Sequence, residues 1–401
     1  MQPLRVLKGE VNPLLVNLTE SMPVEERYSY NYQGNAQALD HILLTHNLAQ
    51  HAEYDLVHLN TEFFDAASDH DPAVLRLQLT EKKRVRFATF NASLNRFNPG
   101  QLIEDLSTPD NPQAKAVAEI IQRVRPDVLL LNEFDYDDQN QAVKLFQQNY
   151  LNQRQNGQRK IRYKHVYVAE SNTGIPTGFD LDNDGNPDGP GDAQGFGFFP
   201  GQYGMVLFSR YPIKYNKVRL FQKFLWRDMP DSMLPEEWYS EDEKSVLRLS
   251  SKSHWDIPVK VKGKLIHVLA SHPTPVFDGP EDRNGRRNHD EIRFWSDYIS
   301  GAEYIYDDEG RSGGLPANER FVIMGDLNAD PQDGDSTANP AAKLLANPLV
   351  NTAITPVSAG GADAMLRQAG ANLSHIGGAD FDTADFADGS PGNRRVDYVL
   401  P

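Results

Sequence analysis

The 401 residues carry 40 Lys and Arg against 56 Asp and Glu, a net charge of −16, with 39% hydrophobic and 10% aromatic residues. Such a chain can bury a large core, which excludes wholesale disorder and allows one large two-sheet α/β domain. There is no cysteine, which excludes disulfides, thiolate catalysis and cysteine-bound zinc, and no apolar run of about 18 residues that would span a membrane. Met1 is followed by Gln-Pro-Leu-Arg rather than an apolar stretch, so no signal peptide is expected in this chain. The acidic balance argues against broad, field-driven nucleic-acid binding. A bound cation and a local Arg cluster can still offset the charge at one cleft.

Residues 1–35 read as irregular. Ala38 to Leu44 reads as a short buried strand, and Asp55 to Phe64 and Ala73 to Leu79 as two more. After the charged turn at residues 80–84 the pattern restarts with a strand over Val85 to Ala92. Asn111-Pro112 opens a helix, with Asn as N-cap and Pro at the first position. Ala114, Val117, Ile121 and Val124 keep helical spacing until Pro126. Asp127 to Leu131 is the next strand, which completes a βαβ unit with a polar residue at the end of each strand. Ser171 to Gly204 is a Gly/Asp/Pro-rich loop without periodicity, and a loop of that length in a compact domain is usually functional. Strands follow at Tyr203 to Ser209, Leu265 to Ser271, Phe321 to Gly325 and Arg395 to Leu400. A helix over Asn288 to Gly301 aligns Ile292, Trp295 and Ile299. The pattern predicts an α/β fold, a sandwich of two packed mixed sheets with helices outside.

Polar groups recur where these strands end. Asn91 follows Arg-Phe-Ala-Thr-Phe, and Glu133 follows Asp-Val-Leu-Leu-Leu-Asn. His272 follows Leu-Ile-His-Val-Leu-Ala-Ser, while Asp326 and Asn328 follow Phe-Val-Ile-Met-Gly. Each alone could be an ordinary loop residue. The ordered set is harder to obtain by accident, because strand ends on a rigid sheet hold catalytic groups to tight tolerance. A hard cation held by one or two carboxylates, with hydrogen-bond donors around it, suits hydrolysis of a phosphoester.

Thr-Phe-Asn91, Asn132-Glu133, Ser209-Arg210-Tyr211-Pro212, Ser271-His272-Pro273, Gly325-Asp326-Leu327-Asn328 and Arg395-Val396-Asp397-Tyr398 resemble, in order, the endonuclease/exonuclease/phosphatase superfamily over roughly residues 84 to 401. The resemblance implies a four-layer α/β/β/α sandwich and Mg²⁺-dependent (or Mn²⁺-dependent) phosphoester hydrolysis. It implies Glu133, Asn91 and Asp326 at the metal, and His272 and Asn328 on the phosphate. Asp397 and Arg210 are further catalytic candidates. The family pattern closes with Ser-Asp-His after the Arg-Val-Asp-Tyr strand, and this sequence ends at Pro401. The triplet occurs instead at Ser68-Asp69-His70, and Tyr28 to Leu79 resembles the closing section of such a domain. Asp69 is then a metal candidate and His70 the general acid or base. Two arrangements stay open: residues 28–79 complete the domain in permuted order, or they are the remnant of an upstream domain. Asp40 and Asp397 resemble the same strand-borne acid, so that element occurs twice.

Asp180, Asp182, Asp184, Asn186 and Asp188, with Gly185, match the opening of a calcium loop. Gly191 stands where the bidentate Glu is expected, and Asp192 follows it. Asp282, Arg283, Arg286, Arg287, Asn288, His289 and Arg293 form a patch that could grip a phosphate. Ser251 to Asp256 reads as a polar strand-edge run that could line the same cleft. The expectation is therefore a monomeric, exported bacterial phosphodiesterase or phosphatase, secreted or periplasmic. The alternatives are a secreted nuclease acting on nucleic acid, and a non-catalytic binding domain on the same fold.

Overall fold

A computed structural model describes residues 15–32, 35–50, 52–58, 61, 68, 70–77, 84–277 and 281–401. The chain forms two compact units, Met1–Arg84 and Val85–Pro401.

In the first unit, β1 (Leu15–Asn17) pairs antiparallel with β4 (Leu43–Thr45), β2 (Tyr30–Tyr32) with β3 (Asn35–Gln37), and β5 (Ala52–Leu56) with β6 (Ala73–Leu77). The strand expected at Ala38 to Leu44 begins only at Leu43, and Leu39 is half exposed. Residues 38–40 instead turn around Ser29, whose Oγ accepts the Leu39 and Asp40 amides at 3.1 and 2.9 Å. A turn of this kind satisfies the backbone locally, so no ladder is needed there.

In the second unit, one sheet has the order β7 (Phe87–Leu94), β8 (Val128–Phe134), β10 (Met205–Ser209) and β9 (His165–Tyr167). The β7–β8 pair is parallel and bridged by the helix Pro112–Val124, which confirms the predicted βαβ unit. Asn111 caps that helix, its side chain accepting from the Ala114 amide at 3.0 Å. The other sheet has the order β11 (Arg219–Leu220), β12 (His254–Val261), β13 (Lys264–Ser271), β14 (Phe321–Asp326) and β15 (Asp397–Leu400). It too is mixed: β13 and β14 run parallel, the other pairs antiparallel.

Strand alternation sorts the side chains. Val128 and Leu130 share a cluster with Ile257, Val259, Val268 and Met324 from the second sheet. Leu129 and Leu131 pack against Val117, Ile121, Phe146 and Tyr150. On the second sheet Leu269, Ile323 and Tyr398 pack against Ile292, Phe294, Trp295 and Tyr298 of the helix Arg283–Ile299. The chain is a mixed α/β protein with mixed sheets, as its strand and helix pattern predicted.

Candidate active site

Glu133 lies near the end of β8, Asn91 on β7 and Asp326 at the end of β14. The Asn91 amide nitrogen Nδ2 donates to Glu133 Oε1 and to Asp326 Oδ2, at 2.9 Å each. Carboxylates from two different sheets thus converge on one neutral donor. Asn95 Nδ2 donates to the other Glu133 oxygen at 2.8 Å. Burial pushes Asp326 up to about 6, with the negative charge of Glu133 adding to the effect and the Asn91 and Asn328 hydrogen bonds opposing it.

The backbone here is unusual. Ser93, Glu133 and Asn328 have φ of 48°, 57° and 50°, the left-handed region that non-glycine residues avoid and that clusters at functional sites. Gly325 has φ 155°, and a Cβ there would run into the Ser271 carbonyl oxygen. The absence of a side chain lets β14 close on β13 where each delivers its site residue.

His272 follows β13 and is 3% exposed, with Nε2 3.7 Å from Asp326 Oδ2. Among the described residues, its buried Nδ1 has no hydrogen-bond partner. Burial, and then the nearby Lys252 ammonium, hold His272 well below its ordinary value, so the imidazole is neutral near pH 7. The Asn328 amide hydrogen reaches Asp326 Oδ1 at 2.9 Å, and its side chain donates to the Pro273 carbonyl at 3.0 Å. Asp397 pairs with Asp326 across β14 and β15. Burial, and then the Asp326 charge, push it well above the carboxylate range. Its Oδ1 has no hydrogen-bond partner among the described residues. Beside Asn328 a cleft is lined by Val276, Phe277, Asp330, Phe386 and Arg394.

The structure thus gathers Asn91, Glu133, His272, Asp326, Asn328 and Asp397. It does not place Arg210 with them. Strand β10 runs antiparallel to β8 and pairs Ser209 with Val128. Arg210 therefore falls at the start of β8, where it meets Asp127 at 3.1 Å, at the opposite end from Glu133. Asn91 also differs from expectation: it meets the carboxylates through nitrogen, while its oxygen accepts from the Ser93 amide at 3.1 Å. Its Oδ1, the end that could hold a cation, faces the backbone. In the first unit, His70 Nδ1 lies 2.6 Å from Asp40 Oδ2. That hydrogen bond holds Asp40 below its usual range. Asp69 lies outside the described residues.

The patch expected to grip phosphate is structural in most of its members. Arg287 donates to the Leu249, Gln194 and Arg248 carbonyls, and Asn288 to the Thr274 and Leu327 carbonyls at 2.8 and 2.9 Å. His289 contacts Asp290 and Lys343, Arg293 pairs with Asp297, and Arg283 lies over the Trp238 ring. Asp282 meets Thr337. Arg286 alone of the arginines is exposed.

Ser251 to Asp256 is not a strand edge either, because β12 lies between β11 and β13 and these residues are buried. This run was expected to line the same cleft, and its Lys252 does stand near the site. The buried Lys252 ammonium has the Pro273 carbonyl at 3.5 Å as its hydrogen-bond partner and acts electrostatically on Glu133 and Asp326. Behind the His272 loop, Asn288, Glu291 and Trp295 share one face of their helix. Glu291 accepts the Thr274 amide at 2.7 Å and Trp295 Nε1 donates to Ser271 Oγ at 2.8 Å. Polar residues inside the apolar stripe of that helix were the available signal.

In the acidic loop, carboxylate oxygens of Asp180, Asp182 and Asp192 lie within 4.8 Å of one another. Asp180 and Asp182 also accept the Asp184 and Gly185 amides, Asp184 and Asn186 side chains accept loop amides at 2.8 and 3.3 Å, and Asp188 is exposed. Buried Asp192 accepts the Leu181 and Gly189 amides at 2.7 and 2.8 Å, and brings to the cluster the side-chain carboxylate that Gly191 lacks.

Residues 88–401 match the Endonuclease/Exonuclease/phosphatase family. The chain belongs to that family. No curated protein matches it. Among solved structures, an endonuclease/exonuclease/phosphatase protein from Beutenbergia cavernae is similar at 17% identity and TM-score 0.43, covering 79% of this chain and 63% of that one. Sphingomyelinase C from Streptomyces griseocarneus is similar at 15% identity and TM-score 0.37, covering 79% and 82%. A Staphylococcus aureus beta toxin variant with bound magnesium ions is similar at 14% identity and TM-score 0.37, covering 79% and 83%.

Proposed function

We propose that this chain is a divalent-cation-dependent phosphoester hydrolase. The observation that carries the reading is the convergence of Glu133 and Asp326, from separate sheets, on the single Asn91 amide. Two acids held together at a partly buried site leave excess negative charge that oxygen-seeking cations such as Mg²⁺ or Mn²⁺ match. Glu133 and Asp326 would hold the cation, and Asn91 would join them if its amide turned. When bound, the cation supplies charge neutralisation on the phosphate. The protein supplies the rest. His272 is neutral and buried, so its N–H can donate to a phosphate oxygen without first losing a proton. Asn328 has a second amide hydrogen beyond the one held by Pro273. Asp326 is the acceptor placed to orient the attacking water.

The deciding assay is hydrolysis of a bis-aryl phosphodiester with Mg²⁺, with Mn²⁺ and in EDTA. Turnover that appears with the cation and vanishes in EDTA supports the reading; no turnover with either cation rejects it in favour of a binding domain. His70→Ala in the same assay tests the expectation that residues 28–79 complete the domain. A loss of about 10²–10⁴ in rate supports it. An unchanged rate confines the Asp40–His70 pair to a role in the first unit.

The reading includes calcium in the acidic loop and an exported protein in a calcium-rich medium. Gly185, at φ 89°, makes the sharp turn such a loop needs. Added Ca²⁺ should raise the melting temperature, by linkage worth about 2.7 kcal/mol at a hundred times the dissociation constant. Asp180→Asn with Asp182→Asn should abolish that response and leave Mg²⁺-dependent turnover unchanged. A full calcium response in the double variant rejects the site.

A further inference from the structure

A second charged surface lies away from these carboxylates. Arg125, Lys144, Lys160, Arg162, Lys164 and Arg210 line one cavity of about 800 Å³. His165 pairs with Ser209, and Ser209 with Val128, so Lys164 and Arg210 lie at the same end of the first sheet. Glu133 is at the other end of β8, about 17 Å along the strand.

This concentration of positive charge stands out in a chain of net charge −16. Arg210 pairs with Asp127. Arg125 and Lys144 donate to the Arg159 and Gln139 carbonyls at 2.8 and 2.9 Å. Among the described residues, Lys160, Arg162 and Lys164 have no carboxylate within ion-pair distance. All three are exposed and alternate with buried Ile161 and Tyr163. The two apolar residues anchor the segment and leave the three cations on its solvent side; two-residue steps span at most about 6.6 Å in a fully extended chain. Adjacent phosphates along a nucleic-acid strand have a comparable separation.

We infer that this cavity is a binding surface for the phosphodiester backbone of nucleic acid, separate from the catalytic centre. The cations come from a helix cap, a second helix, an extended segment and a strand end, a spread too wide for one phosphate. None of the exposed large hydrophobic residues lines the cavity, so it offers nothing to insert into a bilayer, and it is concave where a bilayer is flat. Contacts to phosphate carry affinity without base sequence, and each released counterion steepens the salt dependence.

Binding is measured by fluorescence anisotropy of a labelled 20-nucleotide single strand with the full chain in EDTA. Binding there does not require cation-dependent hydrolysis, so this inference can fail or hold independently of the phosphoesterase reading. The wild-type protein should bind at 50 mM salt with a steep salt dependence. Lys160→Gln, Arg162→Gln and Lys164→Gln together should weaken binding by about tenfold or more and lower the salt slope by about 2. Bis-aryl phosphodiester turnover and melting temperature should be unchanged, since all three side chains are exposed and outside the active site. Absence of binding by the wild-type protein, or an unaltered slope in the triple variant, overturns the inference. Binding to phosphatidylglycerol vesicles without binding to the single strand also overturns it, in favour of a lipid surface.

Discussion

Glu133→Gln is expected to remove nearly all hydrolysis while leaving the fold intact. The substitution keeps the size of the side chain and one oxygen. It removes the charge that, with Asp326, makes the site suitable for a cation. Loss of that charge weakens both cation affinity and charge stabilisation in the transition state, together several kcal/mol, or at least about 10³ in rate. In EDTA the melting temperature should stay near the wild-type value. One of Asn91 and Asn95 keeps its acceptor, the other can turn its amide so that its oxygen faces the new NH2 group, and the like-charge pressure on Asp326 is relieved. Steady-state turnover at saturating Mg²⁺, with melting in EDTA, checks both halves. Near wild-type turnover would remove Glu133 from the reaction.

The largest stability effect is expected from Glu291→Ala, behind the site. The Glu291 carboxylate is fully buried. Oε1 accepts the Ser251 amide at 2.6 Å and the Ser251 hydroxyl at 2.9 Å, and Oε2 accepts the Thr274 amide at 2.7 Å. Its charge also acts on buried Lys252 and on Arg287. Alanine would leave two buried backbone donors without acceptors and two cations poorly compensated. Breaking such an arrangement from one side costs about 3–5 kcal/mol. Urea unfolding should show the midpoint falling accordingly, with little change in slope. Activity should fall as well, because Thr274 follows His272 by two residues and the loop loses its anchor. A loss below about 1 kcal/mol would mean that Asn288 and Trp295 hold the loop without Glu291.

Much of the site was legible because its determinants are local. A β-rich run ending in Asn-Glu or Gly-Asp-Leu-Asn specifies a strand and the residue at its tip. Asn111-Pro112 specifies a helix start. Glu133, His272, Asp326 and Asn328 could therefore be identified in the sequence, Asp397 was added by the family resemblance, and all five are found together in the structure. The βαβ unit and the two mixed sheets were legible on the same grounds, since alternation and helical spacing depend on neighbours within a few residues.

The tertiary structure decided what depends on pairing direction and on distant partners. Arg210 belongs to a strand-end motif, yet the antiparallel pairing of β10 with β8 sends it to the far end of the sheet. Ser251 to Asp256 has the composition of a polar edge, yet it leads into a strand flanked on both sides by β11 and β13, and Lys252 is buried near Glu133 and Asp326. Asn288 read as part of a phosphate-gripping patch, yet its helix turns the face it shares with Glu291 onto the Ser271–Thr274 loop, where backbone donors and acceptors need partners. Asp192 completes the acidic cluster because the loop folds back on itself. The sequence by itself determined which residues stand at strand ends, because propensity, capping and alternation act over a few residues. Only the tertiary structure decided which ends meet and which polar groups are buried there, because those follow from strand direction and from packing between segments far apart in the chain.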